Sequence, residues 1–164
     1  NHIKAKVHAV GQAGLPASQA LQPLKRALSQ RSFDVCLILL GANDLFSGDS
    51  LALSSPAAVD AMLASLRGLH AECRHSGAKT VSLGWPAHPA AVHSELVALN
   101  QRIAAEVGAD AFVDPQGFDQ NVASAWSSDG IHMTATGYAA FGDTLAVSLA
   151  AELRAMRAAT HSAP

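Results

Sequence analysis

The sequence predicts an α/β fold, a three-layer α/β/α sandwich built on a parallel sheet. Short apolar runs alternate with amphipathic helical periods along the chain, the pattern of βα units. The run Val35-Cys36-Leu37-Ile38-Leu39-Leu40 is apolar throughout and too short for a free-standing helix, so it reads as a strand covered on both faces. It leads directly into Gly41-Ala42-Asn43-Asp44, where a parallel strand delivers chemistry, just beyond its carboxyl end.

In chain order, Ile3 to Val10 alternates apolar residues with Lys4, Lys6 and His8, which predicts a strand with one wetter face near a sheet edge. Gly11-Gln12-Ala13-Gly14 follows as a tight turn, and Gly14 leaves a backbone N–H bare enough to face a ligand. The third glycine of a dinucleotide fingerprint is missing. Leu21, Leu24 and Leu28 then mark one side of a helix. After Asp44, Ser55-Pro56 starts a second helix, serine as N-cap and proline at the first helical position. Its apolar face runs Val59, Met62, Leu63, Leu66, Leu69 and Cys73, and Gly77 ends it. Thr80 to Leu83 is a strand closing in Gly84-Trp85-Pro86. A third helix carries Val92, Leu96, Leu99, Ile103 and Val107, and Ala111-Phe112-Val113 is a short strand. An irregular stretch leads through Trp126 to Asp129-Gly130-Ile131-His132. A long last helix has Tyr138, Phe141, Leu145, Leu149, Leu153 and Met156 along one stripe. Residues 1–157 are expected to form one domain, and the small, polar residues 158–164 a frayed tail.

Composition narrows the function. A length of 164 residues suits a single domain, and 49% hydrophobic residues favour a folded core. A net charge of −2 without a basic run argues against nucleic acid as the main partner. No apolar stretch approaches the ~20 residues that cross a bilayer, so a membrane-spanning segment is not expected. Cys36 and Cys73 are too few for a disulfide framework and read as packed thiols. The eight histidines lack the paired spacing of a zinc site, so neither metal nor cofactor is expected. His88 and His93 read as surface histidines, with pocket lining as the other reading. The chain starts at Asn1 without methionine, read as a processed or incomplete amino terminus with any targeting segment upstream, which leaves the compartment open.

Asp129 and His132 lie three apart across a glycine. That spacing lets the carboxylate hold the imidazole Nδ1–H and leaves Nε2 as a general base; the structural reading is an Asp-Gly turn entering a helix. Gly14 and Asn43 each follow a predicted strand, and in a parallel sheet those ends share one rim with the Asp129–His132 loop. A bare N–H and an amide NH2 are the donors an oxyanion hole requires.

With these pieces in order, Gly14 within Val10-Gly11-Gln12-Ala13-Gly14, then Gly41-Ala42-Asn43-Asp44, then Asp129-Gly130-Ile131-His132 with Gly137-Tyr138 beyond, the chain resembles the SGNH (GDSL-type) ester hydrolases from Ile3 to Met156. The resemblance implies the flavodoxin-like fold of that family, a five-stranded parallel sheet flanked by helices. It also implies an oxyanion hole from Gly14 and Asn43, and Asp129 and His132 as two members of a triad with serine. The family's nucleophile block, Gly-Asp-Ser-Leu-like at the end of a first strand, does not precede Gly14 here. The letters Gly48-Asp49-Ser50-Leu51 do occur, but after the asparagine block and without a strand of their own, so they read as loop residues. Ser50 stands as the nucleophile candidate against that reading.

In the resembled fold the missing strand lies between those at Ile3 to Val10 and Val35 to Leu40. Three outcomes follow: an upstream segment supplies it, a separate polypeptide supplies it, or the flanking strands close up. The function expected is hydrolysis of a small acyl-ester substrate with the nucleophile supplied from outside this chain. A catalytically inactive subunit of a larger complex is the alternative, and a flavin- or nucleotide-binding domain is a third reading, because βα alternation does not separate these folds.

Overall fold

The computed structural model describes residues 5–45, 55–89, 91–115, 118, 124–129 and 132–161. A 3-10 turn at Ala17–Gln19 leads into α1 (Leu21–Gln30), β1 (Val35–Ile38), the single-turn α2 (Ala42–Leu45) and α3 (Pro56–His75). There follow β2 (Lys79–Leu83), α4 (His93–Glu106), β3 (Ala111–Val113) and α5 (Ala135–His161). The strands form a parallel sheet in the order β1-β2-β3, with Val35 opposite Lys79, Ile38 opposite Ser82, and Leu83 opposite Val113. Parallel strands need crossovers, and α3 and α4 supply them. The result is an α/β sandwich with a parallel sheet, the flavodoxin-like architecture expected.

The core follows the sequence periods. Ser55 caps α3, its side chain accepting the Ala58 N–H, and Pro56 occupies the first turn where its missing N–H costs nothing. Val59, Met62, Leu63, Leu66, Leu69 and Cys73 are buried along one face. Gly77, at φ 90°, turns the chain back, and the Gly77 and Ala78 N–H groups close on the Arg74 and Cys73 carbonyls. Leu99 and Ile103 of α4 join the same cluster, and Leu96 is buried on the same helix. Cys36 and Ile38 of β1 also face this cluster, whereas Leu39 packs into a second one with Phe118, Ala125, Trp126, Met133 and Phe141. Successive strand residues point to opposite faces, so α5 and its cluster cover the other side of the sheet.

Several expectations need correction. The strand expected at Ile3 to Val10 does not form over its described part: residues 5–10 are exposed and unpaired, Val7 at 82%. Alternation alone does not make a strand; it needs a ladder of N–H and C=O partners. For the same reason the flanking strands do not close up, and among the described residues β1 has a partner on one side only. β1 is therefore an edge strand and ends at Ile38, not Leu40, where its pairing with β2 ends. It is not covered on both faces, because Leu37 remains 45% exposed on the α5 side. Along α5 only the middle of the expected stripe is well covered: Phe141 is buried, Leu145, Leu149, Leu153 and Met156 are half-buried, and Tyr138 is exposed. α5 also continues to His161, past the expected start of the tail, since Ala158 and Ala159 are good helix formers.

Candidate active site

All three strands run the same way, so the loops after β1, β2 and β3 lie along one rim. The loop after β1 turns at Gly41, whose φ is 119°. A Cβ there would fall 2.3 Å from Met62 Sδ, and the Trp85 ring lies at 3.7 Å, so only glycine fits. The turn launches α2, with the Asp44 and Leu45 N–H groups bonded to the Gly41 carbonyl.

α2 and the glycine loop are stapled together. Asn43 Nδ2 donates to the Leu15 carbonyl at 3.3 Å, and Asp44 Oδ2 accepts the Ala17 N–H at 2.7 Å. Gly14, at φ 73°, directly precedes Leu15, and no described residue beyond its chain neighbours lies within 4 Å of where its Cβ would be. The Asn43 amide and the bare Gly14 backbone therefore belong to one local unit. Asp44, to which the sequence assigned no role, is a strut of that unit. An aspartate one residue after a candidate oxyanion asparagine was the available signal.

The loop after β3 carries Asp129 and His132, the expected acid and base. His132 Nδ1 is 2.8 Å from Asp129 Oδ2, and the His132 N–H donates to Asp129 Oδ1 at 3.0 Å. A carboxylate accepts only, so Nδ1 bears the hydrogen and Nε2, across the ring, is the basic nitrogen. Both side chains are open to solvent, at 48% for Asp129 and 71% for His132.

The pair sits on a clasped loop. Trp126 and Met133 form an antiparallel bridge, Ser127 N–H donates to the His132 carbonyl at 2.8 Å, and Thr134 N–H donates to the Ala125 carbonyl at 2.9 Å. Thr134 Oγ1 bonds the Ser124 carbonyl and accepts the Gly137 N–H, tying the clasp to the first turn of α5. A Cβ on Gly137 would fall 2.0 Å from the Ala125 carbonyl oxygen. Leu39, just upstream of Asn43, packs into the same cluster as Trp126 and Met133, so the carboxyl end of β1 abuts the clasp.

A family model for GDSL-like lipases and acylhydrolases matches residues 3–140. The chain belongs to that family. No curated protein and no solved structure gives a significant match to it.

In this GDSL-like hydrolase domain the loop after β2 completes the rim. Asn100, buried in α4, accepts the Trp85 N–H at 2.7 Å and donates to the Trp85 carbonyl at 2.9 Å. Trp85, Ala87, His93, Leu96, Val97, Asn100 and Asp114 enclose a cavity of about 300 Å³. His93 is thus an exposed residue that lines a pocket, whereas His88 is half-buried, its ring 4.2 Å from that of Trp126. The reading of His88 as a surface residue is corrected: packing against an aromatic ring withdraws it from water. Ser50, with the letters Gly48 to Leu51, lies outside the described residues. Among the described residues no group of histidine, cysteine and acidic side chains could hold a metal ion, and no helix is long and apolar enough to cross a membrane.

Proposed function

We propose that this domain is the larger part of a serine ester hydrolase whose nucleophile is supplied by a segment outside residues 1–164. The Asp129–His132 pairing through Nδ1 is the observation that carries the reading, because it leaves Nε2 as the proton acceptor. His132 takes the serine hydroxyl proton as the oxygen attacks the ester carbonyl. Gly14 N–H and the Asn43 amide donate to the carbonyl oxygen as it becomes an oxyanion. One Asn43 N–H is engaged by Leu15, which fixes the amide, and the second is left to donate. Collapse breaks the ester bond, His132 returns the proton to the leaving alcohol, and water then repeats the cycle on the acyl-serine. No metal or organic cofactor enters this scheme, and the substrate is a small acyl ester.

The side of β1 left without a strand partner among the described residues, and the exposed Leu37, support the place of the proposed segment, a strand added beside β1 and ending in the nucleophile. The full-length protein, upstream segment included, is expected to hydrolyse short p-nitrophenyl esters. His132→Ala should lower kcat by roughly 10³–10⁴-fold and Asn43→Ala by about 10²–10³-fold. Absence of hydrolysis in the full-length protein would favour the inactive, complex-forming subunit instead.

A further inference from the structure

We propose that Ser127 is the positioning residue of the acid–base pair, an inference that rests on the hydrolase reading for its catalytic meaning. Ser127 Oγ donates to Asp129 Oδ1, the carboxylate oxygen that also accepts the His132 N–H. The Ser127 backbone N–H donates to the His132 carbonyl at 2.8 Å. One residue therefore grips both members of the pair, the acid by its side chain and the base by its backbone. The geometry also explains how so exposed a pair stays aligned. An Asp carboxylate turns freely about its last bond, and water competes for both oxygens when about half of the side chain is open to solvent. With Oδ1 held by two donors from the loop, Oδ2 faces Nδ1. Because its hydroxyl is committed to Asp129, Ser127 is a support and not a nucleophile.

The two grips separate by mutation. Ser127→Ala removes the side-chain bond and keeps the backbone one, so the Trp126–Met133 bridge survives while the carboxylate loses a donor. Ser127→Thr keeps a hydroxyl in the same place. In the full-length protein, ¹⁵N chemical shifts of the neutral His132 ring report which nitrogen carries the hydrogen. The wild type is expected to show the Nδ1–H form, Ser127→Ala a mixture of both forms, and Ser127→Thr a return to the first. With a short p-nitrophenyl ester, kcat should fall about tenfold in Ser127→Ala at unchanged KM, the size expected for one charge-assisted hydrogen bond. A Ser127→Ala protein with the wild-type tautomer and kcat overturns the proposal, as does one in which contacts between Trp126 and Met133 are lost. If the wild type proves inactive yet the tautomer shifts and is rescued, the positioning role stands and only the hydrolase reading fails.

Discussion

His70 shows how one residue couples the fold to pH. It lies fully buried on α3, and among the described residues neither ring nitrogen has a hydrogen-bond partner. Burial, and after it the Arg74 charge, push its imidazole from the ordinary 6.5 down to about 4, with Asp110 pulling the other way. The folded protein thus keeps His70 neutral where the unfolded chain would protonate it. The associated stability is complete above about pH 6.5 and is lost as pH falls toward 4, an effect of roughly 3 kcal/mol. Urea denaturation at pH 7 and pH 4.5 should show a steeper loss for the wild type than for His70→Leu, and equal losses would refute the assignment. Its burial was not legible beforehand: His70 continues the apolar face of α3 next to Leu69, but a lone histidine at a helix-face position reads equally well as solvated.

At the scale of elements, the clasp between residues 124–127 and 132–134 is where sequence and site meet. The Asp129–His132 spacing was legible because three residues suffice to fold a carboxylate onto an imidazole, whatever the rest of the chain does. The contacts that hold the loop were not legible, since they come from Ala125, Thr134 and Gly137 across a tertiary approach. Gly137 is the tightest point. Gly137→Ala is expected to destabilise the protein by roughly 1–3 kcal/mol, because the carbonyl of Ala125 must move. Thermal melts should show that loss together with disappearance of the Asp129–His132 hydrogen bond. A variant of wild-type stability with the pair intact would contradict the packing described. The helices α3 and α4 were read well because burial of a 3.6-residue stripe is a local property. Residues 5–10 were misread because a strand is defined by its neighbour, and alternation names no neighbour.

At the scale of the molecule, the three parallel strands among the described residues position the Asp129–His132 pair and the Asn43–Gly14 loop unit, the acid–base pair and oxyanion donors of the proposal, and leave β1 with a strand partner on one side only. Leu37 is exposed on β1, and among the described residues β1 has no strand partner on its side away from β2, the edge at which the proposed strand would add. Core position and site position are thus linked in the proposal: the element that would pair with β1 and cover Leu37 is also the one that would bring the serine to His132. The most direct test is to label the full-length protein with an organophosphonate ester probe and locate the adduct by mass spectrometry. Our account predicts a single adduct on a serine N-terminal to Asn1, abolished by His132→Ala and unaffected by Ser50→Ala. An adduct on Ser50, or labelling that survives His132→Ala, would contradict it.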